Sequence, residues 1–94
     1  MTRDEILRTL QELKPILIEE FGVKKIGLFG SYATNEQTES SDIDLIVDMP
    51  SEFDRYYDLK DLLQQRLQKE IDLGLEKSIR RFIKNKIQNE IIYV

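Results

Sequence analysis

Apolar residues recur along this chain at two different periods, and the changes from one to the other lay out an order of helices and strands. Ile6, Leu10, Leu13 and Leu17 fall at helical spacing behind Thr2-Arg3-Asp4-Glu5, a capping box with Thr2 as N-cap and Glu5 three residues on. The spacing predicts an amphipathic helix over residues 3–20, with Pro15 as a bend point and Phe21-Gly22 as its end. Lys25 to Phe29 is a short apolar run bounded by glycine, which reads as a buried strand. Residues 31–41 are polar and turn-rich, a loop whose first residues can form one helical turn. Ile43 to Met49, β-branched and mostly apolar, predicts a second strand closed by Pro50-Ser51. Phe53, Tyr56, Leu59, Leu62, Leu63 and Leu67 predict a second long helix over 52–69. Tyr56 and Tyr57 read as packing residues, with an interface position open for one of them. Glu70 to Leu75 predicts a third strand, and Ser78 caps a last helix with Ile79, Phe82, Ile83 and Ile87 on one face. Ile91 to Val94 is either extended or a continuation of that helix. The order αβ(α)βαβα implies an α/β (α+β) fold, one small sheet covered by helices.

Composition narrows the chemistry. The 94 residues form one small domain, 1–94, with no room for a separate substrate-binding lobe. An enzyme of this size needs a partner or second subunit to complete its substrate site. The chain has neither cysteine nor histidine, which excludes thiol chemistry, disulfides and the usual general base. Acid–base or metal chemistry must then rest on carboxylates, which favour hard cations such as magnesium. No apolar run approaches a membrane span and the amino terminus lacks a signal-peptide pattern, so a cytoplasmic protein without a membrane partner is expected. A net charge of −4 argues against direct nucleic-acid binding. The charge is uneven: residues 77–94 carry 5 basic and 1 acidic side chains. Arg80, Arg81, Lys84 and Lys86 form a basic face that reads as solvated. Arg80 and Arg81 sit in a first helical turn, where the dipole disfavours cations, so an acidic partner or a triphosphate tail stays open as their role.

Among eight aspartates, about 0.7 Asp-x-Asp pairs arise by chance, so the pair Asp42/Asp44 means little by itself. Its context is specific. Gly30-Ser31 ends the first strand, and Asp42 and Asp44 open the second after a polar loop. In a strand, residues two apart share a face, so Asp42 and Asp44 project together, opposite Ile43 and Leu45. Adjacent carboxylates are costly unless neutralised, which a divalent cation does. Asp72, between Ile71 and Leu73, repeats the alternation on the third strand. The three could hold two magnesium ions roughly 4 Å apart, the separation used for in-line phosphoryl chemistry, with Asp72 as ligand or base. Gly30 allows a phosphate close to the backbone, and Ser31 with its neighbouring amides offers an anion site. No P-loop lysine follows the glycine. The bland alternatives are a solvated strand entrance for Asp42 and Asp44, an exposed edge position for Asp72, and a simple helix cap for Ser31.

Gly30-Ser31-Tyr32-Ala33 and Ser41-Asp42-Ile43-Asp44-Leu45-Ile46-Val47, at this spacing, resemble the signature of the nucleotidyltransferase superfamily typified by DNA polymerase β. The shortness of the chain resembles its minimal members, the MNT antitoxins paired with HEPN-domain ribonuclease toxins. The resemblance covers nearly the whole chain. It implies a mixed sheet, two Mg2+ ions, ATP as substrate, and transfer of AMP to a tyrosine hydroxyl of a HEPN-domain toxin partner, with pyrophosphate leaving. By position it implies nucleotide binding for Gly30 and Ser31, and catalytic and metal-binding roles for Asp42, Asp44 and Asp72. Where relatives often carry an arginine and a glycine after the motif's alanine, this chain has Thr34-Asn35. Asparagine tolerates a positive φ, so the turn can survive, but one phosphate contact is lost. A non-catalytic antitoxin that acts by occlusion, or transfer to a small molecule or RNA, are the competing readings.

Overall fold

The capping box forms. The Thr2 hydroxyl accepts from the Glu5 amide at 3.2 Å, and the Glu5 carboxylate accepts from the Thr2 amide at 3.0 Å. Helix α1 (Arg3–Phe21) runs through Pro15, which lies on its exposed side, and closes on Gly22. Ile6, Leu10, Leu13 and Leu17 are fully buried, as their spacing predicts. In this computed structural model, residues 1–78 and 90–94 are described. Ser78 ends a short 3-10 turn (Glu76–Ser78). The predicted last helix that Ser78 would cap, with Ile79, Phe82, Ile83 and Ile87 and the basic residues Arg80, Arg81, Lys84 and Lys86, lies outside the described residues.

The sheet is mixed, as expected for the fold class. Strands β1 (Lys25–Phe29), β2 (Ile43–Asp48), β3 (Ile71–Leu75) and β4 (Ile92–Tyr93) lie in the order β3-β2-β1-β4. Strand β2 pairs antiparallel with β1 and parallel with β3, while β4 pairs antiparallel with β1. The parallel pair follows from the crossover through helix α2 (Phe53–Leu67), because a hairpin cannot return a strand in the same direction. The carboxy-terminal apolar run is therefore extended, a fourth strand among the described residues.

Alternation along the strands splits the sheet into two chemically different faces. Ile26, Leu28, Ile43, Leu45, Val47, Ile71 and Leu73 turn toward α1 and toward Leu59, Leu63 and Leu67 of α2, forming the core. Lys25, Gly27, Phe29, Asp44, Ile46, Asp48, Asp72 and Gly74 occupy the intervening positions on the other face, where Ile46 is fully buried. One position of the predicted apolar stripe departs from this: Phe53 is 75% exposed, its ring tilted against that of Tyr57 at 4.7 Å between centroids. It occupies the first residue of α2, where the helix has not yet come down onto the sheet. Tyr56 is half-buried and Tyr57 exposed.

Gly27 is set by crowding. A Cβ there would stand 2.6 Å from the Ile91 side chain and 3.1 Å from the Tyr93 ring. Gly27→Ala is expected to lower stability by about 1–3 kcal/mol, the usual cost of overpacking, with the loss read from the urea midpoint. An unchanged midpoint would mean that β4 is not seated on β1 in solution.

Candidate active site

The Gly-Ser segment leaves β1 as a tight turn. The Gly30 carbonyl accepts from the amides of Ala33 at 3.1 Å and Thr34 at 3.3 Å, and the Ser31 carbonyl accepts from the Glu36 amide at 2.8 Å. Asn35 closes the turn at φ 61, as the asparagine in place of glycine allows. Residues 31–35 thus make helical-type turns without becoming a helix. The amides at the start of such a turn, those of Ser31 and Tyr32, are the ones it leaves free to face an anion. Two anchors hold the turn in place. Tyr32 and Ala33 are buried in the core, and the Arg3 guanidinium donates to the Ala33 carbonyl at 3.1 Å.

Strand register brings the carboxylates to this turn. Asp44 lies opposite Phe29 on β1 and opposite Asp72 on β3. Since Phe29 pairs with Asp44, the next residue, Gly30, leaves the strand directly over that carboxylate. Gly30 has φ 76, and a Cβ on it would lie 2.2 Å from Asp44 Oδ2. The glycine is required twice, by the backbone angle and by the carboxylate that fills its side-chain space. Asp72 is exposed, flanked by buried Ile71 and Leu73, on the open edge of the sheet.

Asp42 precedes the first residue of β2 and is exposed. Its backbone is held from a distance: the Lys69 ammonium donates to the carbonyls of Glu39 at 2.8 Å and Ser41 at 3.0 Å. The structure therefore brings Gly30, Asp44 and Asp72 into one cluster, with Asp42 beside it at the strand entrance. Among the described residues, no three carboxylates stand in a ready-made metal-ligating arrangement. Sequence reasoning missed Arg3, Lys69 and Tyr56. Each acts on a backbone carbonyl 17 to 30 residues away, a contact with no local sequence signal.

The electrostatics of the cluster are unfavourable in isolation. Burial is the main cause raising the Asp44 pKa from 3.8 to about 6, followed by the charge of Asp72, a hydrogen bond shared with Asp72, and the charge of Asp42. A set of hard oxygen donors whose ionisation is opposed by burial and by one another suits a divalent cation, which would restore the charged form. A cleft of about 400 Å³ lies elsewhere, between the start of α2 and the far end of β3, lined by Phe53, Tyr56, Tyr57 and Leu75 among others. It does not contain the carboxylates.

Two outcomes follow from this geometry. Gly30→Ala is expected to cost about 1–3 kcal/mol from the backbone angle alone and to displace the Asp44 carboxylate, the loss being read from the urea midpoint. The sign of the Asp44 effect runs the other way. A pKa raised on folding stabilises the fold below the unfolded value, and that contribution is lost as pH rises through about 6. Asp44→Asn should therefore stabilise the metal-free protein at pH 7.5 by about 1 kcal/mol, a figure reduced for solvent screening of this half-exposed group. The same substitution should give no gain at pH 4, both read by urea unfolding.

Comparison with known proteins agrees with this geometry. The family described as Nucleotidyltransferase domain matches residues 10–94. Protein adenylyltransferase MntA of Thermococcus cleftensis is 36% identical over 97 residues, spanning 100% of this chain and 97% of that protein. A solved structure provisionally named a minimal nucleotidyltransferase superposes with a TM-score of 0.81 at 28% identity, covering 98% of this chain and 95% of that one. A toxin–antitoxin structure with AMP-PNP matches 88% of this chain and 64% of that chain, with a TM-score of 0.61 and 25% identity. The family resemblance carried by the Gly-Ser and Asp-x-Asp segments thus extends to the whole fold, and the chain belongs to the nucleotidyltransferase domain family and is a nucleotidyltransferase.

Proposed function

We propose that the chain is an antitoxin that transfers AMP from ATP to a tyrosine hydroxyl of a cognate HEPN-domain ribonuclease toxin, in a magnesium-dependent reaction. The observation that carries this reading is the seating of Gly30 on Asp44, with Asp72 in register beside it. One backbone turn and two strands then meet where phosphate, cation and acceptor would have to meet. The names of its relatives, a protein adenylyltransferase and a toxin–antitoxin pair with an ATP analogue, support the nucleotide and the kind of acceptor.

The roles follow from exposure. The Gly30–Ser31 turn receives the triphosphate, its free amides and the Ser31 hydroxyl meeting the phosphate oxygens. Magnesium held by Asp42, Asp44 and Asp72 would neutralise phosphate charge and lower the pKa of the attacking hydroxyl. Asp44 is hemmed in by Gly30 and supports the cation, whereas exposed Asp72 faces the side from which an acceptor arrives. The tyrosine oxygen attacks the α-phosphorus, the bond to the β,γ-pyrophosphate breaks, and the hydroxyl proton passes toward Asp72. The acceptor in this reading is a residue of the partner protein.

A second contribution, binding of the partner without chemistry, is favoured by the exposed aromatic pair Phe53 and Tyr57. Incubation with labelled ATP, magnesium and the protein encoded beside this chain separates the two. Transfer of label to a tyrosine of that protein is expected, falling by more than about a hundredfold in Asp42→Asn and Asp44→Asn, in keeping with several kcal/mol of lost charge stabilisation. Neutralisation that survives both substitutions without any label would leave occlusion as the mechanism. Label on RNA or on a small molecule in place of the toxin would move the acceptor to another class.

A further inference from the structure

We propose that Tyr56 is a positioning residue for the reaction: its phenol locks the edge strand that carries Asp72, and so holds that carboxylate beside Asp44. The inference rests on the reading of Asp72 as the third carboxylate of the site. Among the described residues, strand β3 lies at the edge of the sheet and pairs only with β2. The Ile43 amide donates to the Glu70 carbonyl at 3.0 Å, so the Glu70 carbonyl faces β2. Carbonyls alternate sides along a strand, so those of Asp72 and Gly74 also face β2, and that of Leu73 faces the open edge. An edge carbonyl ordinarily finds water. Here the Tyr56 hydroxyl, carried on α2, donates to the Leu73 carbonyl.

This anchor falls where the strand is under load. Asp44 and Asp72 are directly opposite in the β2–β3 ladder, and like charges in that relation push strands apart. Strand β3 has only five residues with which to resist. The Tyr56 bond grips the strand on its other side, at the residue after Asp72, so the Asp72 backbone is fixed from both edges. The phenol is itself held: Tyr57 meets the Tyr56 ring edge-on at 5.0 Å, and Phe53 packs on Tyr57. Tyr56 acts on Asp72 through the backbone, its hydroxyl being committed to the Leu73 carbonyl.

The test compares wild type, Tyr56→Phe, Asp72→Asn and the double variant in the labelled-ATP assay with magnesium and the partner protein. In parallel, Mn2+ binding to the free chain is followed by water-proton relaxation. Tyr56→Phe is expected to lower kcat about tenfold while KM for ATP stays within about twofold, because the phosphates are gripped by the Gly30–Ser31 turn and not by β3. Mn2+ affinity should fall by a similar factor, and in the Asp72→Asn background the Tyr56→Phe loss should vanish. A Tyr56→Phe protein with unchanged kcat and Mn2+ affinity would overturn the proposal, as would an equal loss in the presence and absence of Asp72. Should wild type bind Mn2+ yet label no acceptor, the functional reading fails while the Mn2+ cycle still decides the role of Tyr56. Should it do neither, the carboxylate site and this inference fall together.

Discussion

Two carboxylates placed opposite each other on neighbouring strands, Asp44 and Asp72, are the constraint on which the rest of the structure turns. Like charges at that separation oppose the ladder that carries them, and partial burial raises the cost at Asp44. The surrounding elements answer that repulsion. Apolar neighbours Ile43, Leu45, Ile71 and Leu73 bury the opposite face of both strands, so neither can rotate its aspartate away without exposing core. Gly30 closes over Asp44 from β1. Tyr56 ties down the free edge beyond Asp72, and Lys69 ties down the segment that leads into Asp42. The arrangement is tolerated because the apolar side of the sheet outweighs it, with α1 and α2 packed on the strands across one continuous core.

This division of the sheet also separates stability from chemistry. One face is aliphatic and covered by two helices, while the other carries aspartates and glycines around the buried Ile46. Beside the second face stand a glycine at φ 76, a carboxylate with its pKa raised to about 6, and a turn closed by asparagine at φ 61, whereas the other positive φ angles, at Gly22 and Gln68, cap the two helices. Such features persist only where a rigid scaffold determines them, and they concentrate at sites that bind or react. The one core among the described residues, built from α1, α2 and the sheet, is what holds them in place.

Much of the fold was legible because its signals are local. The capping box and the Ile6–Leu17 stripe are complete within one helix, and the alternation of Asp44 with Ile43 and Leu45 is complete within one strand. The site residues Gly30, Asp42, Asp44 and Asp72 could be named from spacing and from resemblance to a family. Their proximity could not, since it depends on β1 and β2 running antiparallel with Phe29 opposite Asp44. Ile91 to Val94 was ambiguous because a short apolar run carries no period, and pairing with β1 decided it. Phe53 was misplaced because helical spacing assigns a face without saying where the helix begins to touch the sheet. The contacts of Arg3, Tyr56 and Lys69 end on backbone carbonyls, which every residue has, so sequence holds no mark of them.

The central claim is that opposed carboxylates make this surface a cation and nucleotide site, and the carboxyl of Asp44 reports on it directly. Its titration can be followed by carbon-detected NMR in the metal-free protein and again with magnesium and a non-hydrolysable ATP analogue. The carboxyl should titrate at about 6 without metal and well below its ordinary value of 3.8 once cation and nucleotide are present. A carboxyl that titrates near 3.8 under both conditions would contradict it.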